Sequence, residues 1–239
     1  MSLTLSQTVI GIIGGSGLYD IDGLKNISRK KIVTPFGKPS DEFVIGELQG
    51  VPFVFLPRHG KGHTLNPSDI NYRANIYGMK KCGVTSLFSL SAVGSMKEEI
   101  SPGDVVIVDQ FIDRTKGYRN DTFFEKGLVA HVAFADPICP ALLSVAHESV
   151  KKVGITVHKG GTYLCMEGPQ FSTRAESLLY RQWGVSVIGM TNIPEVKLAR
   201  EAEMCYASIV FSTDYDCWKA SEEVVSADKV LAMIKKMSI

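Results

Sequence analysis

The chain has 239 residues, 45% of them hydrophobic and 21% charged, and a net charge of +1. That length buries a sizeable core, and no Lys/Arg block outgrows a pair such as Lys235-Lys236, which excludes nucleic-acid and membrane-surface partners from the expectation. Five scattered cysteines with no CxxC, no metal-ligand spacing and no stretch of signal-peptide or membrane-span character read as reduced thiols in a cytoplasmic protein.

In chain order, apolar β-branched runs predict strands at "TVIGII", "FVIGEL", "VPFVFLPR", "VTSLFSLSAV", "GDVVIVDQFI", "GTYLCME", "VSVIGM" and "YASIVFS". Helices fall between them: "PSDINYRANIYGMKKCG" from Pro67 to Gly83, "STRAESLLYRQWG" with a Thr173/Glu176 capping box, "IPEVKLAREAEM" from Pro194, and "SADKVLAMIKKM". The stretch from Phe111 to Pro140 has no period and reads as a long ordered excursion. No repeat, linker or low-complexity tract divides residues 1–239. The expectation is therefore one α/β domain, with a mixed, curved central sheet flanked by helices on both faces.

Polar residues gather where strands end. Gly14-Gly15-Ser16-Gly17 follows the first strand and suits an anion held by backbone N–H groups, although a tight turn explains the glycines equally well. A dinucleotide fingerprint fails there, because its sixth position, counted from Gly15, is Asp20; no Gly-Lys-Ser/Thr follows for a triphosphate. "LPRHGKGH" offers Arg58 as a bidentate fork, with His59 and His63 nearby. "LSAVGS" adds Ser91 and the amide of Ala92, "EGPQFS" adds Phe171 and Ser172, and "GMTNIPE" adds Met190 and Thr191. "STDYDCW" puts Asp214 and Asp216 at a strand end, two apart and so on one face of an extended segment. Each alone has an ordinary structural explanation. Together they describe a pocket for an anion beside a ring-bearing polar ligand.

"GIIGGSGLYD", "RHGKGHTLNPSDINYRANI", "EGPQFSTRAES", "GMTNIPEVKLAREAEMCYASI" and "TDYDCW" resemble the 5′-methylthioadenosine phosphorylases of the trimeric purine nucleoside phosphorylase family, from about Val9 to about Met233. The resemblance implies a nucleoside phosphorylase fold and a pentosyl transfer serving purine and methionine salvage. In it, phosphate attacks C1′ of 5′-methylthioadenosine and releases adenine and 5-methylthioribose 1-phosphate. It places phosphate at Ser16, Arg58, His59, Ser91, Ala92 and Thr191, and sugar or base at Phe171, Met190, His63, Val230, Asp214 and Asp216. Ser172 joins the two aspartates as catalytic. His131 would come from a neighbouring subunit of a homotrimer or dimer of trimers. No metal or organic cofactor is implied; phosphate is a co-substrate.

Physical chemistry bears on the aspartates independently. A protonated Asp214 at purine N7 relieves the charge gathering on the leaving base, and this needs a raised pKa. A carboxyl also accepts from a 6-amino group, whereas facing a 6-oxo group would leave a buried acceptor unpaired, at about 1–3 kcal/mol. Two departures from the family pattern stand out: Gln170 occupies a position where Arg is common, and the chain ends at Ile239, before a further helix expected over the 5′ pocket. The expected effect of that shortening is weaker 5′-methylthio selectivity, admitting adenosine. A broader purine nucleoside or methylthioinosine phosphorylase is the alternative within the family, against which the Asp214/Asp216 pair speaks; a non-catalytic nucleoside binder on the same scaffold is the alternative from another class.

Overall fold

The computed structural model describes residues 8–15 and 23–219. Its strands are β1 (Val9–Gly14), β2 (Lys25–Lys30), β3 (Phe43–Leu48), β4 (Val51–Pro57), β5 (Val84–Ser95), β6 (Val105–Val108), β7 (Gln110–Arg114), β8 (Val157–Lys159), β9 (Thr162–Met166), β10 (Val187–Gly189) and β11 (Cys205–Asp214). The helices are α1 (Tyr72–Lys81), α2 (Pro140–Val153), α3 (Arg174–Gln182) and α4 (Asn192–Glu201). All eleven strands form one mixed sheet that forks at β5. One branch runs β2-β3-β4-β1-β5-β10-β9-β7, and the other leaves β5 through β11 to β6 and β8.

β5 is the axis because at twelve residues it is the longest of the described strands, long enough to serve several partners, and Val84, Leu87 and Val93 anchor it in the core. β11 follows it in parallel from Ser86 to Gly94 along one edge. Two strands share its other edge: β1 in parallel up to Ser89, and β10 antiparallel at Gly94 and Ser95. Because β1 and β10 point towards each other, their carboxyl ends meet head-on across the uncovered stretch 90–93. The core beneath is continuous, including Ile13, Leu56, Ile76, Leu87, Val196 and Val210.

Several sequence expectations shift here. The first helix starts at Tyr72 instead of Pro67, because the Asn71 side chain accepts from the Ala74 amide and caps it there. "GDVVIVDQFI" divides at Asp109, whose carboxylate takes the Gly161 amide, so β6 and β7 join different branches. The α3 capping box forms as expected, Thr173 and Glu176 exchanging side-chain and backbone bonds. α4 has one non-helical residue, Ile193, just before Pro194. α2, β2 and β8 were not anticipated: β2 is exposed throughout and carries no apolar alternation, and α2 buries only Ala146 fully. Residues 115–139 hold no helix or strand, as expected of the excursion. The helix expected at "SADKVLAMIKKM" lies outside the described residues.

Candidate active site

The uncovered stretch of β5 is where the strand-end residues collect. Backbone groups alternate along a strand, and the Leu90 carbonyl faces the β1 side, where Arg58 donates to it at 3.0 Å. The amide of Ala92 therefore faces the same uncovered edge. β1 delivers Gly14-Gly15 to this gap from one end, and β10 delivers Met190 and Thr191 from the other. Thr191 caps α4 without spending its hydroxyl on the helix, and its amide donates to the Tyr163 hydroxyl at 3.3 Å. The Ser91 hydroxyl stands 3.4 Å from Asn192 Oδ1.

Arg58 follows β4 and is 1% exposed. Its Nε donates to Glu195 Oε2 at 2.8 Å and its Nη2 to Glu195 Oε1 at 3.2 Å. Nη2 also donates to Ser89 Oγ at 2.7 Å and the Ile13 carbonyl at 3.1 Å. This corrects the sequence expectation: the bidentate edge of the guanidinium is occupied by Glu195, and only the Nη1 corner is directed at the gap. A buried guanidinium demands a counter-charge, and α4 supplies it. Burial alone would lower the Arg58 pKa; the Glu195 carboxylate and its hydrogen bonds more than offset this and hold it above the usual arginine range.

His59 is also buried, and burial, with Arg58 and His63 alongside, lowers its pKa to about 4. Its Nδ1 is 2.9 Å from the Leu65 carbonyl, an acceptor only, so Nδ1 carries the proton and Nε2 remains an acceptor. His63 stacks on it with ring centroids 4.0 Å apart.

At the far end of the gap, Asp214 and Asp216 close β11. A Cβ on Gly94 would come within 2.9 Å of Asp214 Oδ1, so glycine there makes room for the carboxylate. Asp214 accepts from the Thr213 hydroxyl and the Asp216 amide, both at 2.8 Å. Burial raises the pKa of both aspartates; for Asp214 these two donors oppose the rise and the neighbouring Asp216 charge adds to it, while for Asp216 donor groups of Ser177, Cys217 and Ser172 oppose it. Ser172 meets this corner through its carbonyl, 3.3 Å from Cys217 Sγ, while Phe171 is 44% exposed.

Arg119, on the excursion, was missed from sequence. It is buried and donates to the carbonyls of Met190 and Ile193, each at 2.6 Å, and of Glu167 at 2.7 Å, with Nε 3.3 Å from Glu167 Oε1. It ties three loops together behind the gap. Glu195 was missed too, although an acid flanked by Ile193, Pro194, Val196 and Leu198 is a sequence signal for a buried partner cation. His131 does not join the gap of its own chain; it lines a groove of about 680 Å³ with Phe124, Leu128, Val129, Lys197 and Glu201. Ser16 and Val230 lie outside the described residues.

A cradle of amides and hydroxyls meeting two protonatable carboxyls along one strand suits transfer of a sugar between an oxyanion and a nitrogen base. The family model described as the phosphorylase superfamily matches residues 9–237. The chain belongs to that superfamily. Within it, an S-methyl-5′-thioadenosine phosphorylase of Geobacter sulfurreducens is 63% identical over 96% of this chain and 80% of its own, and one of Cereibacter sphaeroides 57% over 95% and 78%. A methylthioadenosine phosphorylase structure from an Antarctic soil metagenome is 51% identical, covers 97% of this chain and 82% of that one, and has a TM-score of 0.92. Another, from Schistosoma mansoni in complex with adenine, is 40% identical over 97% and 87%, also at 0.92. The chain is thus a phosphorylase of the methylthioadenosine group, with the mixed-sheet fold of its structural neighbours. Among the described residues no helix is long and apolar enough to cross a membrane.

Proposed function

We propose that this phosphorylase cleaves 5′-methylthioadenosine with inorganic phosphate, giving adenine and 5-methylthioribose 1-phosphate. The observation carrying the reading is the head-on approach of β1 and β10 on β5, which aligns an oxyanion cradle with two carboxyls of raised pKa. Phosphate sits against Arg58 Nη1, His59 Nε2, Ser91, the Ala92 amide and Thr191, with Ser16 from the following turn. A phosphate oxygen bonds to C1′ as the C1′–N9 bond breaks. The electron pair passes into the purine, and Asp214 gives its proton to N7. Asp216 accepts from the 6-amino group; Ser172 and Phe171 border the base, Met190 packs under the ribose, and His63 and Val230 flank the 5′ end.

The same reading has one domain over residues 1–239, no metal or organic cofactor, a cytoplasmic homotrimer or dimer of trimers, and a place in salvage. Leu128, Val129 and Val132, exposed beside His131, support an arrangement in which the excursion meets a neighbouring subunit. Adenosine is the proposed second substrate, a reading supported by solved relatives that include adenosine/methylthioadenosine phosphorylases from Schistosoma mansoni. Incubation with phosphate and methylthioadenosine, adenosine or inosine tests the proposal. Phosphate-dependent adenine release, fastest from methylthioadenosine, is expected; fastest cleavage of inosine overturns the adenine assignment, and no phosphate-dependent release favours a binder.

A further inference from the structure

We infer that Glu195 is a positioning residue that sets the charge of the phosphate pocket, cancelling Arg58 so that the bound dianion keeps its own negative charge for the sugar. The inference rests on the reading of Arg58 as a phosphate ligand. Glu195 does not reach the gap: its side chain is 1% exposed and both oxygens are spent, Oε2 on Arg58 Nε and Oε1 on Arg58 Nη2 and the Tyr206 hydroxyl at 2.9 Å. Its partners are Arg58, just after β4, and Tyr206 on β11, while Ser89 on β5 accepts from the same guanidinium, so the pair is built into the sheet.

Among the described residues, the charges around the gap come close to cancelling. Arg58 and Arg119 are the buried cations among the described residues, and each faces an acid, Glu195 and Glu167. His59 carries no charge at neutral pH, and presents an acceptor to the one proton of hydrogen phosphate. Lys61 is exposed on a turn whose amide bonds Asp41 Oδ2 at 2.9 Å. Ser16–Asp22, the stretch that follows Gly15, contains no Lys, Arg or His.

The chemistry explains the benefit. As the glycosidic bond breaks, C1′ gains positive charge, and an electron-rich phosphate both attacks and stabilises it. A net cation beside the phosphate would hold the ground state tightly and weaken its attraction to the sugar cation, trading turnover for affinity.

Glu195→Gln tests this, because it keeps the shape and one acceptor while unmasking Arg58. Phosphate KM is expected to fall about three- to tenfold, as an uncompensated charge a few ångströms away dictates. Turnover is expected to fall about tenfold or more, the signature of stronger ground-state binding. Sulfate, an unreactive tetrahedral dianion, should bind tighter by a similar factor in calorimetry and stabilise the variant against heat more than it does the parent. A higher phosphate KM with weaker sulfate binding is what mere loss of support for Arg58 would produce, and it overturns the inference, as does no change.

Should Glu195→Gln not fold, Tyr206→Phe decides. It keeps the ion pair but removes a donor from Glu195, throwing more carboxylate charge onto Arg58. Sulfate affinity should then fall about twofold or more, the loss of one hydrogen bond's polarisation; an increase or no change counts against the inference. The charge-neutral double variant Arg58→Ala with Glu195→Ala separates the underlying reading. Sulfate binding equal to the parent's would show that Arg58 does not hold the anion. Lost binding there, with Glu195→Gln and Tyr206→Phe failing to move in opposite directions, would sink the role of Glu195 alone.

Discussion

The two ends of the gap on β5 handle buried charge in opposite ways. At one end a guanidinium is matched by a carboxylate and three further oxygens, so it stays charged at every accessible pH. At the other, Asp214 and Asp216 lie two residues apart and have no ion pair among the described residues; Asp214 accepts from a hydroxyl and an amide, and burial raises both pKa values. The difference teaches how one cleft holds both a permanent charge and carboxyls of raised pKa, which the proposed mechanism uses as a proton source. A buried ion that must not titrate is paired; one that must titrate is left to desolvation.

The largest test is at the titrating end. Asp214→Asn keeps the size but removes the proton donor, and kcat/KM for methylthioadenosine should fall about 10²–10³-fold, within the range for general acids. Inosine cleavage should suffer far less; equal losses would mean that Asp214 does not read the 6-position. The pH dependence follows from the direction of the shifts. The raised aspartates bind protons in the folded chain that the unfolded chain has released. Their contribution to stability is thus complete below the ordinary carboxylate range and lost as pH rises through the raised pKa. The melting temperature of Asp214→Asn relative to the parent should therefore improve with rising pH, and the basic limb of the rate profile should weaken. A difference that is flat with pH would return Asp214 to an ordinary carboxylate.

Arg119 offers a second permanent charge with which to sharpen the contrast. Arg119→Met leaves the carbonyls of Met190, Ile193 and Glu167 without this donor and the Glu167 carboxylate without its cation, and denaturant unfolding should show a loss of about 3 kcal/mol. A loss under 1 kcal/mol would mean that water replaces the clamp. Next in size is Gly94→Ala, whose methyl crowds Asp214 Oδ1 and Ile188; misplacement by a few tenths of an ångström to an ångström should lower kcat about tenfold and leave phosphate KM alone. The smallest is Ser91→Ala, which removes one hydroxyl from the anion cradle and should raise phosphate KM about two- to tenfold, one hydrogen bond's worth. If its effect falls on the nucleoside instead, the two ends are not separate.

Much of this contrast was readable in the residues. Strand ends offering Arg58, His59, Ser91, Thr191 and Asp214 pointed to the candidate site because short apolar runs announce buried strands, and polar residues gathered just beyond several of them converge at one end of a sheet, although each alone has an ordinary structural explanation. The capping box of α3 was equally plain. What stayed hidden was pairing at long range. Nothing local says that Arg58 is answered by Glu195, 137 residues later, or that Arg119 reaches carbonyls 71 and 74 residues on. β2 and α2 escaped because an exposed edge strand and a shallowly buried helix leave little periodicity.

The meeting of β1 and β10 on one strand also makes β5 a ruler. Each residue of β5 advances about 3.3 Å, so the five steps from Ser89 to Gly94 mark off roughly 16 Å between the last paired positions of the two strands. The reach from oxyanion to base is thereby graduated in strand residues, with no hinge to adjust it. Slipping β10 by a single position would move its end by one graduation and turn its side chains to the opposite face. Ligand length is written into this enzyme as the register of a sheet.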